Sequence, residues 1–355
     1  MDVKLPVNPE ILKGISQLDS FRQIWAAGVP VPAERLDQLK RSARAQSVVS
    51  SCRIAGVRAA DNDILHILSG ASLASAESGE LHGYAAAIDR SFPHGGPLIT
   101  LEEIASLNAV VLGKPGDPPP PSALREKPLH QEIFDGEGRA LGRVLQTLPP
   151  RMLRDKVDGA ISWLEFELRT GEQHPLLVIG SFFVYFTAIS PFERGNGRTA
   201  RVMVAHLMRR CGFGFVDYAS LEALFEEVRF EYYDAIDQAE TKIWTDEADL
   251  GPWLGFFVGA LNTLTARLQA KLDLEVRARE LPPLQRAILA TIREHGTGAA
   301  ALLIASTGAN RNTLKDNLRR LVERGLLERV GTKRGTFYRL PALEAATAGR
   351  SLVED

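Results

Sequence analysis

"ISPFERGNGRTAR" (Ile189–Arg201) places two glycines, an asparagine and three arginines where an apolar segment gives way to an amphipathic one. Pro191 can stop the incoming helix, and Phe192 can anchor the turn in an apolar interior. Gly195 and Gly197 can adopt backbone angles closed to other residues. Successive N–H groups can then point at one spot and form an anion nest. A helix starting there adds the positive end of its dipole. Arg198 and Arg201 lie three apart, on one helical face, and each can grip phosphate through paired charge-assisted hydrogen bonds. Asn196 can add a neutral donor. A lone G-x-G is more often a plain tight turn, but six chemically coherent positions in one loop favour phosphate. The stretch holds no histidine to take a proton.

The segment leading into it, "LLVIGSFFVYFTAI" (Leu176–Ile189), is too short to span about 30 Å of hydrocarbon and reads as a buried core helix. The 355 residues imply two or three domains, and 45% apolar with 24% charged residues fits core-forming globular ones. A net charge of −2 gives no global pull toward nucleic acid or membrane, so any such partner needs a local patch. Two cysteines, Cys52 and Cys211, make no metal or disulfide framework and suit a reducing compartment. "MDVKLPVNPEILKG" lacks the basic start, apolar run and cleavage site of a signal peptide. A cytoplasmic protein without a membrane partner is expected.

Most of the remaining chain has helical periodicity. Ile11, Ile15, Leu18, Phe21 and Ile24 mark one helix ending at Gly28, and a second, starting near Pro32, stops at Gly56. "LEEIASLNAVVLG" closes at Gly113, before the proline run "GDPPPPS". From Leu129 to Gln146, "LHQEIF" and "RALGRVLQ" flank "DGEG", a hairpin with a glycine turn. "MLRDKVDGAISWLEFEL", "SLEALFEEVRFEYYDAIDQAE" and "WLGFFVGALNTLTARLQAKL" complete an all-α body. His174, before a proline, reads as a helix cap, and His130 falls in the hairpin.

The charged segment "DLEVRARELPP" separates that body from a tail, with the boundary near Leu281. Three helices and a two-stranded ribbon over 281–341 give a winged helix-turn-helix pattern. Arg311, Lys315 and Arg319 are four apart on the last helix, while Leu314, Leu318, Leu321 and Val322 form its opposite stripe. Lys333 and Arg334 tip the ribbon, so this element has the electrostatic footprint of a duplex binder, and DNA is the expected partner. A winged helix used as a protein interface is the competing reading.

"PFERGNGRTAR" resembles the signature of Fic (Fido) domain proteins, written H-P-F-x-[D/E]-G-N-G-R-x-x-R, at seven fixed positions. The apolar segment before it looks like that family's entry helix, "FEYYDAI" like its nucleotide-side helix, and the hairpin like its target-docking flap. The resemblance implies a mainly α Fic-type helical bundle with a β-hairpin flap over 101–270, behind an N-terminal helical region over 1–100. It implies transfer of AMP from ATP, with Mg2+, onto a hydroxyl of a protein target held at the flap, and it leaves room for a homodimer. It assigns the α-phosphate to Gly195, Asn196 and Gly197, and the outer phosphates to Arg198 and Arg201.

Three departures bear on catalysis. Ser190 stands at the family's histidine, and a serine hydroxyl has almost no proton affinity near neutral pH. Arg194 stands at the metal-binding acid and cannot ligate a cation, which casts doubt on Mg2+, although it can place positive charge there itself. Glu193, one position off, would need a rotated backbone to substitute. "SSCRIAG" resembles the family's inhibitory helix, with Ser51 and Gly56 matched but Ala55 in place of the glutamate. The favoured reading is a catalytically divergent protein that binds ATP or another phosphate ligand and regulates through its winged helix. The alternatives are an active Fic-type adenylyltransferase of altered mechanism, and a DNA-binding scaffold that takes no ligand.

Overall fold

The computed structural model describes residues 8–69, 78–90, 99–114, 116, 118–134, 140–146, 148–332 and 336–341. The chain divides into two compact units, one of residues 1–28 and 34–265, the other of residues 29–33 and 266–355. In chain order, the elements of the first are α1 (Pro9–Ala26), α2 (Ala33–Ile54), α3 (Asp61–Ser69), α4 (Ser78–Asp89) and α5 (Leu101–Val111). The hairpin β1 (His130–Phe134) and β2 (Ala140–Gln146) follows, then α6 (Leu153–Thr170), α7 (Pro175–Ile189), α8 (Asn196–Arg210), α9 (Leu221–Glu227), α10 (Arg229–Glu240) and the start of α11 (Gly251–Arg279).

α7 organises the bundle because it is apolar all round: twelve of its fifteen residues are buried. His174 caps it, Nδ1 accepting from the Leu176 N–H at 3.3 Å while Nε2 faces Asp19. α6, α8 and α10 pack against α7. α11 meets it at Gly180, whose carbonyl accepts from Trp253 Nε1 at 2.7 Å and where a Cβ would press on Leu254 and Phe257 at 3.0 Å. α4 and α5 pack on each other and both reach α8, which brings two further helices to the motif loop.

The second unit has its own core, with Ile288, Leu289, Ile292, Leu303, Leu314, Leu318 and Leu321 buried together. Its helices are α12 (Pro283–His295), α13 (Ala300–Thr307) and α14 (Arg311–Glu323), and its strands are β3 (Thr297–Ala299), β4 (Glu328–Val330) and β5 (Phe337–Arg339). The ribbon read from sequence is the β4–β5 pair, and β3 adds a third antiparallel strand in the order β3-β5-β4.

The expected boundary near Leu281 moves to Thr265/Ala266. "DLEVRARELPP" is no linker: α11 runs on to Arg279, and Ala278 and Leu281 are buried in the second core. Two helices were not legible, α3 and α4, and the single helix expected over 220–240 is broken at Val228 (φ −109°, ψ 46°). The break is consistent with Phe225 and Tyr232 stacking at 4.6 Å across it.

Candidate functional site

The motif loop is built by burial and backbone bonding. Phe192 is 1% exposed, and Asn196 turns inward onto it, its oxygen accepting from the Phe192 N–H at 3.0 Å and its amide donating to the Phe192 carbonyl at 2.7 Å. Asn196 therefore holds the turn, with its oxygen and one amide N–H bonded to the loop itself. Asn108 of α5 supports the other side, donating to the Arg194 carbonyl at 3.0 Å and to Thr199 Oγ1 at 3.1 Å. Gly195 is required twice over: its φ is +80°, and a Cβ would stand 3.0 Å from Asn108 and Leu112. Gly197, expected to share that freedom, is ordinary helix, and its missing side chain only leaves space beside Arg201.

α8 begins at Asn196 with no side-chain cap. The N–H groups of Asn196, Gly197 and Arg198 have no intrahelical acceptor and form an anion-receptive end. Arg198 is 3% exposed and salt-bridged to Glu80 of α4. Its Nε is buried without a hydrogen-bond partner among the described residues. Arg194 reaches the same carboxylate, Nη2 to Oε1 at 3.0 Å, from a side chain 70% exposed. Glu80 was not singled out from sequence, and no spacing rule links residue 80 to residues 194 and 198.

Arg201 is bound differently. Its Nε donates to Ser51 Oγ at 2.8 Å, Nη2 to the Ser51 carbonyl at 3.0 Å and Nη1 to the Tyr232 hydroxyl at 3.2 Å. Burial pushes the Tyr232 phenol up to about 12, so it stays a neutral acceptor. Cys52 is buried beside both arginines, and burial raises its thiol against their pull. Ser51 of α2 thus meets Arg201 of α8, while Ala55 and Gly56 are exposed in the turn after α2.

Ser190 is the single non-glycine residue with positive φ among the described residues, at +44°. It is 1% exposed, and its hydroxyl donates to the Thr187 carbonyl at 2.6 Å. Arg125, 2% exposed, clasps this turn: its guanidinium donates to the carbonyls of Ser190, Ile189, Lys127 and Leu148. Lys127 and Leu148 flank the hairpin, so one side chain ties both hairpin ends to the motif. His130 starts β1, but its side chain lies outside the described residues. A cavity of about 450 Å3, lined by Phe183, Arg201, Met203, Phe225 and Trp253 among others, does not include the loop residues 190–198.

Residues 99–208, which hold this loop and the helices that position it, match the Fic/DOC family. They form a Fic/DOC-family domain. Similar folds include a Fic family protein from Desulfovibrio desulfuricans, 19% identical, with TM-score 0.60 over 96% of this chain and 99% of that one. A Fic domain containing signaling protein from Bacteroides thetaiotaomicron is 18% identical, with TM-score 0.53 over 76% and 97% of the two chains. A fragment of Fic-1 from C. elegans is 20% identical, with TM-score 0.53 over 76% and 72%. The sequence finds no match among curated proteins.

A divalent cation does not fit the Fic loop of this chain. Arg194 occupies the acid position, and both Glu80 oxygens face guanidiniums. Among the described residues no three His, Cys, Asp or Glu side chains cluster to hold a metal. A phosphate does fit, at the uncapped start of α8 and the free Nε of Arg198. In the second unit Arg311, Lys315 and Arg319 of α14 are exposed, and Arg319 is 3.9 Å from Asp316 and 3.7 Å from Glu323. Lys333 and Arg334 lie outside the described residues. No helix among the described residues is long and apolar enough to cross a membrane.

Proposed function

We propose that this Fic-domain chain binds ATP or another phosphate ligand at the Gly195–Arg201 loop without metal, has lost most or all transfer chemistry, and regulates through a DNA-binding winged helix at 281–341. The observation that carries the ligand reading is Arg198: a buried guanidinium with an unsatisfied Nε, at the uncapped N-terminus of α8. Leaving such a donor without a partner costs about 1–3 kcal/mol, which an anion would recover. The α8 N–H groups and Arg198 would hold the phosphate, and Arg201, fixed by Ser51 and Tyr232, would back it with charge.

Loss of transfer follows from Ser190. Its hydroxyl is committed to the Thr187 carbonyl, and no proton acceptor takes the family histidine's place at that position. General-base catalysis contributes about 10²–10⁴-fold, so any residual transfer would be slow. The alternative, an adenylyltransferase of altered mechanism acting on a protein docked at β1–β2, predicts labelling of a target.

Calorimetric titration with ATP tests the reading. Binding in EDTA, with no AMP label passed to protein, is the expected result. Robust labelling from ATP that disappears in Arg198→Ala would overturn it in favour of the transferase.

A further inference from the structure

The first unit holds a space that the phosphate reading leaves unused. The cavity of about 450 Å3 lies among α2, α8, α9 and α11, and residues 190–198 take no part in it. Its buried lining is aromatic and apolar. Phe183 stacks on Trp253 with ring centroids 4.7 Å apart, and Trp253 on Phe257 at 5.7 Å. Phe225, Met203 and Leu207 complete that lining, and none of the six is more than 4% exposed. Protein interiors are otherwise packed like organic crystals, whereas small-molecule sites are apolar-lined spaces of about 300–1,000 Å3. The rest of the lining is charged and unbalanced. Six cations (Lys40, Arg44, Arg90, Arg201, Arg209 and Arg210) face three carboxylates (Asp89, Asp217 and Glu222), an excess of three positive charges. Burial lowers His206 to about 4, so it adds no charge near neutral pH. Asp89 is taken by Arg44 at 2.6 Å, and Asp217 by Lys40 at 3.1 Å and by Arg209. Glu222 is buried and accepts from the Tyr84 hydroxyl at 3.0 Å. Arg90 has a neutral partner, Ser106 Oγ at 3.1 Å, and Arg210 is exposed.

We propose that this cavity is a second ligand site, for a small amphipathic anion: a carboxylate carried on an extended apolar body. The body buries against the aromatic lining, where apolar area leaving water drives binding. The carboxylate stays toward solvent and meets the cationic excess, Arg210 above all, through the paired hydrogen bonds a guanidinium gives a carboxylate. The lining selects against other occupants. A cation meets an excess of its own sign. A nucleotide triphosphate brings a polar body to an aromatic wall. A neutral apolar molecule leaves the guanidiniums unused. The site is independent of the phosphate reading and shares only Arg201 with the motif, where Ser51 and Tyr232 hold its guanidinium.

Calorimetric titration of the full chain with sodium decanoate tests this, with decanol as the neutral counterpart and acetate as the head group alone. Decanoate should bind at a single saturable site about tenfold more tightly than decanol, the worth of one charge-assisted bond, and acetate should not bind. Arg210→Glu, a change at an exposed position, should weaken decanoate about tenfold or more and leave decanol unchanged. Met203→Trp fills the apolar lining and should abolish binding of both. Equal affinity for decanoate and decanol, or equal decanoate affinity in wild type and Arg210→Glu, overturns the anionic ligand. Undiminished decanoate binding by folded Met203→Trp overturns the cavity as its site. Absence of saturable decanoate binding by wild type overturns the proposal outright, whether or not ATP binds at the loop. Should Met203→Trp fail to fold, the decanol comparison and Arg210→Glu still decide.

Discussion

Arg198 and Arg201 lie one turn apart on α8 with both guanidiniums buried, yet their partners give them separate tasks. Arg201 makes its bonds to neutral groups, Ser51 and Tyr232, which hold its guanidinium in place. Arg198 faces one carboxylate and keeps a donor unspent. Arg201→Ala removes the guanidinium donor from two buried hydroxyls, those of Ser51 and Tyr232, and should cost about 3 kcal/mol. Arg198→Ala should lower the melting temperature by less than half as much, while weakening ATP binding roughly 10- to 100-fold, the worth of one charge-assisted bond. Paired melting curves and titrations check this; a larger thermal loss in Arg198→Ala would reverse the assignment. The two arginines and Gly195 were legible because each needs only its own chemistry and a local backbone. The uses of Ser190, Asn196 and Glu80 were not, because each depends on a partner set by folding: the Thr187 carbonyl, the Phe192 backbone, and a helix more than a hundred positions upstream of Arg194.

At the scale of elements, α10 carries a burden at its C-terminal end. Glu240 is buried with Oε1 unpartnered, and burial pushes its carboxyl up from about 4.5 to about 7, against a hydrogen bond with Thr187. The folded chain therefore holds this proton more tightly than the unfolded one. Stability from this group is full below about pH 4.5, falls as pH rises, and levels off above about pH 7. His206 on α8 works in the other direction, since burial lowers it from 6.5 to about 4 and its contribution is lost as pH falls through that range. Glu240→Gln isolates the first effect. Its melting temperature should exceed that of wild type at pH 8, by an amount reflecting at most about 3 kcal/mol. The two chains should converge by pH 5. Equal melting temperatures at pH 8 would mean the buried carboxylate has found a partner. Helix α10 was legible from its periodicity, and the hairpin from alternation around a glycine turn. α4 was not, because its packing on α5 relies on Gly79 and Gly83, which weaken a helical reading of the sequence.

For the molecule as a whole, the apolar helix α7 and the loop after it were enough to place the first unit in the Fic fold, whereas the charged run after Lys271 misled the domain boundary. A charged stretch looks like a linker, but Ala278 and Leu281 within it face a core that only the folded tail supplies, and Leu274 packs against that core. That tail presents α14 with Leu314, Leu318 and Leu321 buried, and Arg311, Lys315 and Arg319 on the exposed side. Asn310 caps the helix, its side chain accepting from the Thr313 N–H at 2.9 Å, so Arg311 stands on a well-anchored first turn with Lys315 one turn on. Arg319 is shared with Asp316 and Glu323 of its own helix and has less charge to give a phosphate. If α14 lies against a duplex, each phosphate it neutralises adds about 0.9 to the slope of log affinity against log salt. Arg311→Ala with Lys315→Ala should therefore lower that slope by about 2, and Arg319→Ala by clearly less. ATP affinity should be the same in all three chains, because the substitutions are outside the unit that holds the loop. A salt slope unchanged by the double substitution would remove α14 from the DNA surface. A duplex affinity that shifts on adding ATP to wild type, and fails to shift in Arg198→Ala, would join the two halves of the proposed function.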